Sequence, residues 1–328
     1  MKDVLKLLKK IGILLAVCYA FVFLYIELFP QKIYTNRYAI CLPQHDVVYK
    51  LKNVAPSRTL ILGDSRTMSA VVCSQIPSTR NLSLAGSSPI EMFFYLKNYL
   101  KNYPKPAQVF MSFAPFHLCQ QDVFWKYTVR FKLLTYNDLQ SVFATAKKLN
   151  DSQTLRTSHP ELVYYKYFFK YPEYYQTELK ASVFESRTAL NALTYDSVFA
   201  ANGHYVFSKK AFSDHLNEEA ETAEFSPSPL FAYYFEQIIL LCKANNIPFY
   251  YQTTPMNQAS FGKLNPLYKA GYQIFIQKTA LKYPNCAISD SLYAYPNSCF
   301  GDASHTNQVG AERFTAQLKG FLNRRSAF

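Results

Sequence analysis

Apolar positions along the chain fall into one long run, several short runs and a set of helical-period segments. The long run covers residues 11–29, holds a single charge, Glu27, close to its end, and follows Lys2, Lys6, Lys9 and Lys10. About 19 residues rising 1.5 Å each reach about 28 Å, close to the hydrocarbon thickness of a bilayer, so the run predicts a membrane-crossing helix. A cleaved signal peptide would end in small residues, and Tyr25, Glu27, Phe29, Pro30 and Gln31 supply none. The reading is therefore an uncleaved anchor. Lysines before the span and few charges just after it predict a cytoplasmic amino terminus and an exported remainder, periplasmic or extracellular.

Beyond the anchor the pattern alternates. Leu60-Ile61-Leu62 is a short, wholly apolar run of the kind that a strand buried on both faces requires, and it stops at Gly63. Further strands are expected over 79–84, 107–113, 247–253 and 286–289. Helices are expected from Ser65 to about Cys73 and over 90–103, 230–245, 265–282 and 308–321, the second ended by Pro104 and Pro106. Strand and helix in alternation predict an α/β fold, a parallel sheet with helices on both faces and ligands at the carboxyl ends of the strands. Residues 117–227 break the rhythm with helical patches rich in Tyr and Phe, densest at 162–175, and read as an insertion acting as a lid or docking surface. Rings interleaved with lysines suit a membrane interface or a sugar face, although most of them are expected to pack the insertion's own core. The chain thus divides into a tail and anchor (1–30), a connecting segment (31–55) and one domain (56–328) carrying the insertion.

Chemistry concentrates at two places. In Gly63-Asp64-Ser65-Arg66 the serine sits at a strand-to-helix junction, where first-turn amides are unpaired and can face an oxyanion. Ser65 is the candidate nucleophile, and the rival account is a turn with a helix cap, for which Asp and Ser are good residues. Near the other end, Asp302-Ala303-Ser304-His305 places an acid and an imidazole three residues apart, so that Asp302 can hold His305 and His305 can take the Ser65 proton. The chain has nine glycines, and Gly63 and Gly301 fall in or beside these blocks, with Gly86 just past the 79–84 strand candidate. Of the remaining histidines His117 is singled out as a substrate contact, because it lies just past the third strand. Arg66 is expected to meet an anionic substrate or to face solvent, and Asp64 to brace the turn.

These blocks resemble the SGNH (GDSL-like) hydrolase superfamily: Gly63-Asp64-Ser65, then Asn81-Leu82-Ser83-Leu84-Ala85-Gly86, then Asp302-Ala303-Ser304-His305, in the family's order over roughly residues 56–325. The resemblance implies a three-layer, flavodoxin-like sheet and an oxyanion hole made by the amides of Ser65 and Gly86. One departure stands out. The asparagine of the family's third block has no counterpart in residues 109–117. A single anchor before an exported SGNH-like domain is similar in layout to proteins of D-alanyl-lipoteichoic acid assembly and exopolysaccharide O-acetylation. That layout implies a serine acyltransferase on an envelope glycan or teichoic-acid-like polymer, working beside a multi-span membrane O-acyltransferase. The alternatives are an envelope glycan esterase or deacetylase, and a non-catalytic SGNH-like binding or scaffold protein.

Composition narrows the picture further. The net charge is +13, yet charged residues make up only 17% and form no dense basic block past the first ten residues, which argues against a nucleic-acid partner. Scattered basic surface suits anionic lipid or polymer, or is a solvated excess. Of seven cysteines, six lie beyond the span, and Cys286 with Cys299 is the favoured pair for a disulfide. No Cys-x-x-Cys spacing is present, so no metal is expected, and no cofactor.

Overall fold

Five short strands form one parallel sheet: β1 Thr59–Gly63, β2 Thr79–Asn81, β3 Gln108–Ser112, β4 Phe249–Tyr251 and β5 Ala287–Ile288. The computed structural model describes residues 1–34, 36–119, 123–169 and 187–325. Strand order is β2-β1-β3-β4-β5, with every pairing parallel. The connections reverse direction on the two sides of β1, which opens a crevice at the carboxyl ends of β1 and β3.

Successive residues of the strands enter different cores, because strand side chains alternate between faces. Leu60, Leu62, Val109, Met111, Phe249 and Tyr251 join one cluster, and Ile61, Phe110, Tyr250 and Ala287 join a second. The first face is covered by α4 Pro89–Asn102, α8 Pro229–Ala244 and α9 Pro266–Lys282, through residues such as Tyr95, Phe235 and Tyr272. The second is covered by α10 Gln308–Arg325, through Phe314, Leu318 and Leu322. Each apolar run is short and unpatterned in sequence because both of its faces are buried.

The amino-terminal helix α1 Lys2–Leu28 is long and apolar enough to cross a membrane, with a mean hydropathy of 2.3 over its most apolar window. Its aliphatic side chains face outward, and of its residues only Ile26 is buried. The next segment departs from expectation. Residues 31–55, read as a connection, contain α2 Asn36–Tyr49, whose Ile40, Cys41, Val47 and Val48 are buried. Pro43 lies inside this helix and does not break it. Packing against α4 and against α7 Arg187–Ala200 outweighs the local penalty of the proline.

Up to Ala200 the described part of the insertion is mainly helical, with a π-helical turn Phe124–Val129, α5 Tyr136–Lys148, α6 Pro160–Phe169 and α7, whereas residues 201–227 form turns and irregular backbone. Its densest aromatic stretch ends in residues 170–175, which lie outside the described residues. All seven cysteines are free thiols, and the expected bridge is not formed. Cys286 packs against the first core cluster and Cys299 is buried in the second, so the sheet separates them.

Candidate active site

The site begins with how β1 ends. Gly63 lies against β3 so closely that a Cβ on it would stand 2.1 Å from the Ser112 carbonyl oxygen, so only glycine fits. Asp64 then caps α3 Ser65–Ala70, its Oδ1 accepting from the amides of Arg66 (3.0 Å) and Thr67 (3.1 Å). Thr67 Oγ1 donates to the Ser112 carbonyl at 2.7 Å and ties the turn to β3. Ser65 is held at the first helical position, partly exposed, and its hydroxyl makes no hydrogen bond among the described residues.

A cavity of about 290 Å³ opens in front of Ser65, lined among others by Gly86, His117, His305, Arg37, Tyr127 and Phe207. That is the scale of a small-molecule site. Gly86 has φ +74°, and a Cβ on it would meet Val123 Cγ2 at 2.4 Å, so this wall too requires glycine. Ser65, Gly86, His117 and His305, four residues distant in sequence, therefore share one cavity.

His305 is oriented from three sides. Its Nδ1 lies 2.9 Å from Asp302 Oδ2, its own amide donates to Asp302 Oδ1 at 2.7 Å, and Phe207 stacks on the ring at 4.2 Å between centroids. Burial works against the Asp302 carboxylate, but hydrogen bonds from the imidazole and charge pairing with it hold the acid down at about 2. His305 Nε2 is buried and has no hydrogen-bond partner among the described residues. The Ser65–His305 hydrogen bond that the triad logic anticipates is not formed, although both groups face the same cavity.

His117 belongs to a second pair. Asp64 Oδ2 accepts from the Ala114 amide at 2.7 Å and from His117 Nδ1 at 2.8 Å, with Asp64 fully buried. Burial opposes ionisation of Asp64, yet the His117 hydrogen bond and charge, with Arg66 nearby, keep it ionised with a pKa of about 2. Burial likewise disfavours a charged His117, and its hydrogen bond to Asp64 outweighs this and raises the imidazole's pKa. The 3-10 turn Pro115–Leu118, directly after β3, delivers this histidine where the third-block asparagine was sought. No asparagine lines the cavity among the described residues.

Arg66 corrects the expectation placed on it. Only 4% exposed, it is absent from the cavity lining and bonds Glu219 Oε2 at 2.6 Å and Glu218 Oε2 at 3.1 Å. Glu219 is fully buried, so the guanidinium is consumed in an internal ion pair and cannot meet a substrate. The cation that does reach the cavity is Arg37 on α2, whose Nη1 donates to the Tyr127 hydroxyl and whose guanidinium lies 5.0 Å from that ring's centroid. Neither Arg37 nor Phe207 carries a local sequence signal, since each stands alone in a segment with no motif. The paired Glu218-Glu219 offers no clear mark either, because Lys209, Lys210, Asp214, Glu221 and Glu224 surround it. No family model matches the chain, and no curated protein matches it.

Proposed function

We propose that the protein is a membrane-anchored serine acyltransferase of SGNH type that modifies a cell-envelope polysaccharide through an acyl-Ser65 intermediate. The observation that carries this reading is the convergence on one cavity of an unencumbered Ser65 hydroxyl and an unpartnered His305 Nε2 whose imidazole is fixed by Asp302. The strand order 2-1-3-4-5 is that of flavodoxin-like sheets and supports the same assignment. Ser65 Oγ attacks the acyl carbonyl, His305 takes its proton, Asp302 holds the imidazole, and the amide of Ser65 with Gly86 receives the developing oxyanion. Transfer differs from hydrolysis only in what attacks the acyl-serine, so an esterase uses the same residues.

Transfer is favoured by the anchor, which holds the site beside a membrane where an exported acyl donor would arrive. In this reading the amino terminus is cytoplasmic and the domain is exported. A fluorophosphonate probe tests the proposal. It should label Ser65, and S65A or H305A should abolish labelling, because only an activated serine attacks such probes readily. Labelling that persists in S65A removes the nucleophile. A binding or scaffold role is the reading that the unformed Ser65–His305 hydrogen bond favours, and a wild-type protein that never labels would support it.

A further inference from the structure

Two histidines, each held through Nδ1 by a carboxylate, line the cavity together with Ser65: His305 by Asp302 and His117 by Asp64. In both rings the nitrogen left over, Nε2, has no partner among the described residues. Asp64 immediately precedes Ser65 and is pinned by three backbone amides, so the second pair is built on the same rigid turn as the candidate nucleophile. A substrate contact would need only one polar hydrogen. It does not require a fully buried carboxylate behind the imidazole.

We propose that the two pairs divide the protons of a double displacement, His305 serving the Ser65 oxygen and His117 serving the oxygen of the departing and then of the arriving alcohol. This rests on the acyl-serine reading above. The cycle opens with His305 neutral and His117 charged. In the first half Ser65 Oγ bonds to the acyl carbon of an ester donor and gives its proton to His305, while the donor's alkoxide leaves with the proton of His117. In the second half an acceptor hydroxyl bonds to the acyl carbon and gives its proton to the now neutral His117, and Ser65 Oγ leaves with the proton held by His305. Each histidine returns to its starting state, and no other reagent is consumed.

The charged start for His117 agrees with the groups that face it. Burial and Arg66 oppose the imidazolium, the hydrogen bond and charge of Asp64 with the charge of Glu219 favour it, and the net effect raises the pKa of a ring held 2.8 Å from Asp64 Oδ2. Glu218 lines the same cavity and is itself engaged by Arg66.

The test separates acylation from deacylation, using the full-length protein in detergent. With p-nitrophenyl acetate, whose phenolate leaves without a proton so that His117 sheds its own to solvent before deacylation, H117Q should give a burst of one nitrophenolate per enzyme at a rate within about threefold of wild type. Steady turnover with water or glycerol as acceptor should fall about 100-fold, and acetyl-Ser65 should accumulate. Turnover of ethyl acetate, whose alkoxide needs a proton, should fall at least as far. H117K keeps a cation beside Asp64 and should show the same split, which guards against a fold defect in H117Q. Burst and steady rate falling together, or loss of fluorophosphonate labelling in both variants, overturns the division of labour. Failure of wild type to label at Ser65 overturns the serine reading instead, so the two failures are distinct.

Discussion

Asp302 Oδ1 accepts from the amides of Ser304 and His305 while the carboxylate also holds the His305 ring, so one side chain sets both the loop and the imidazole. D302N should therefore keep the loop's shape and spoil the tautomer, lowering the rate of acylation by about 10³- to 10⁴-fold while leaving slow fluorophosphonate labelling detectable. The Asp64–His117 pair has a pH signature with two edges. The depressed Asp64 pKa stabilises the fold above about 3.9, and that contribution is lost as pH falls through about 2. The raised His117 pKa stabilises it below about 6.5, and that contribution is lost as pH rises through the folded value. The difference in Tm between wild type and H117Q should accordingly be largest between about pH 4 and 6.5 and shrink at both extremes. Arg66 anchors a second buried ion pair, with Glu219. R66M leaves Glu219 buried without its cation and should cost about 3–5 kcal/mol in urea unfolding, most of it regained in R66M/E219L. Residues within one block could be read from the sequence, because a spacing of three residues fixes who faces whom. Asp64 with His117, 53 residues apart, and Arg66 with Glu219, 153 apart, are tertiary pairings that leave no local trace.

At the scale of elements, β1 and β3 fix the site and the insertion furnishes its far wall. The π-helical turn Phe124–Val129 carries Tyr127, and Val123 just before it abuts Gly86. G86A should thus strain a positive φ and push this turn outward at once, costing about 1–3 kcal/mol and narrowing the cavity. Thermal melting, with fluorophosphonate labelling rate as the readout of the cavity, checks both effects. The α/β alternation was legible because apolar run lengths separate buried strands from amphipathic helices, and the expected boundaries for β1, α4, α8 and α9 lie within a residue or two of those observed. Strand lengths were overestimated, as at 247–253 against Phe249–Tyr251, because the largely buried segment on either side, from Ile247 to Thr253, outruns the paired residues. Helix α2 escaped because Pro43 reads as a breaker when its packing partners, α4 and α7, are far away in sequence.

The whole molecule couples its amino-terminal helix to its cavity. Glu27, near the end of α1, pairs with Lys132, which lies just after the π-helical turn, and Arg37 of the cavity wall comes only nine residues after Leu28. In the proposed topology such a link would keep the site close to the membrane surface. Because the apolar face of α1 and not the +13 net charge is expected to hold the protein there, 1 M salt should leave it in the membrane fraction and detergent should release it. The same placement decides what the proposed chemistry requires. Acyl thioesters of coenzyme A are cytoplasmic, the proposed topology puts Ser65 outside, and one helix forms no passage for an acyl group. A transferase therefore needs a multi-span partner to bring the acyl group across, and an esterase needs none. Expression with and without its membrane neighbours, together with measurement of acyl groups on the envelope glycan, distinguishes these. For a transferase, acyl content falls in S65A and also falls when the membrane partner is removed from cells carrying the wild-type chain. A rise in acyl content in S65A would mean that the enzyme removes acyl groups, and would leave the esterase reading in its place.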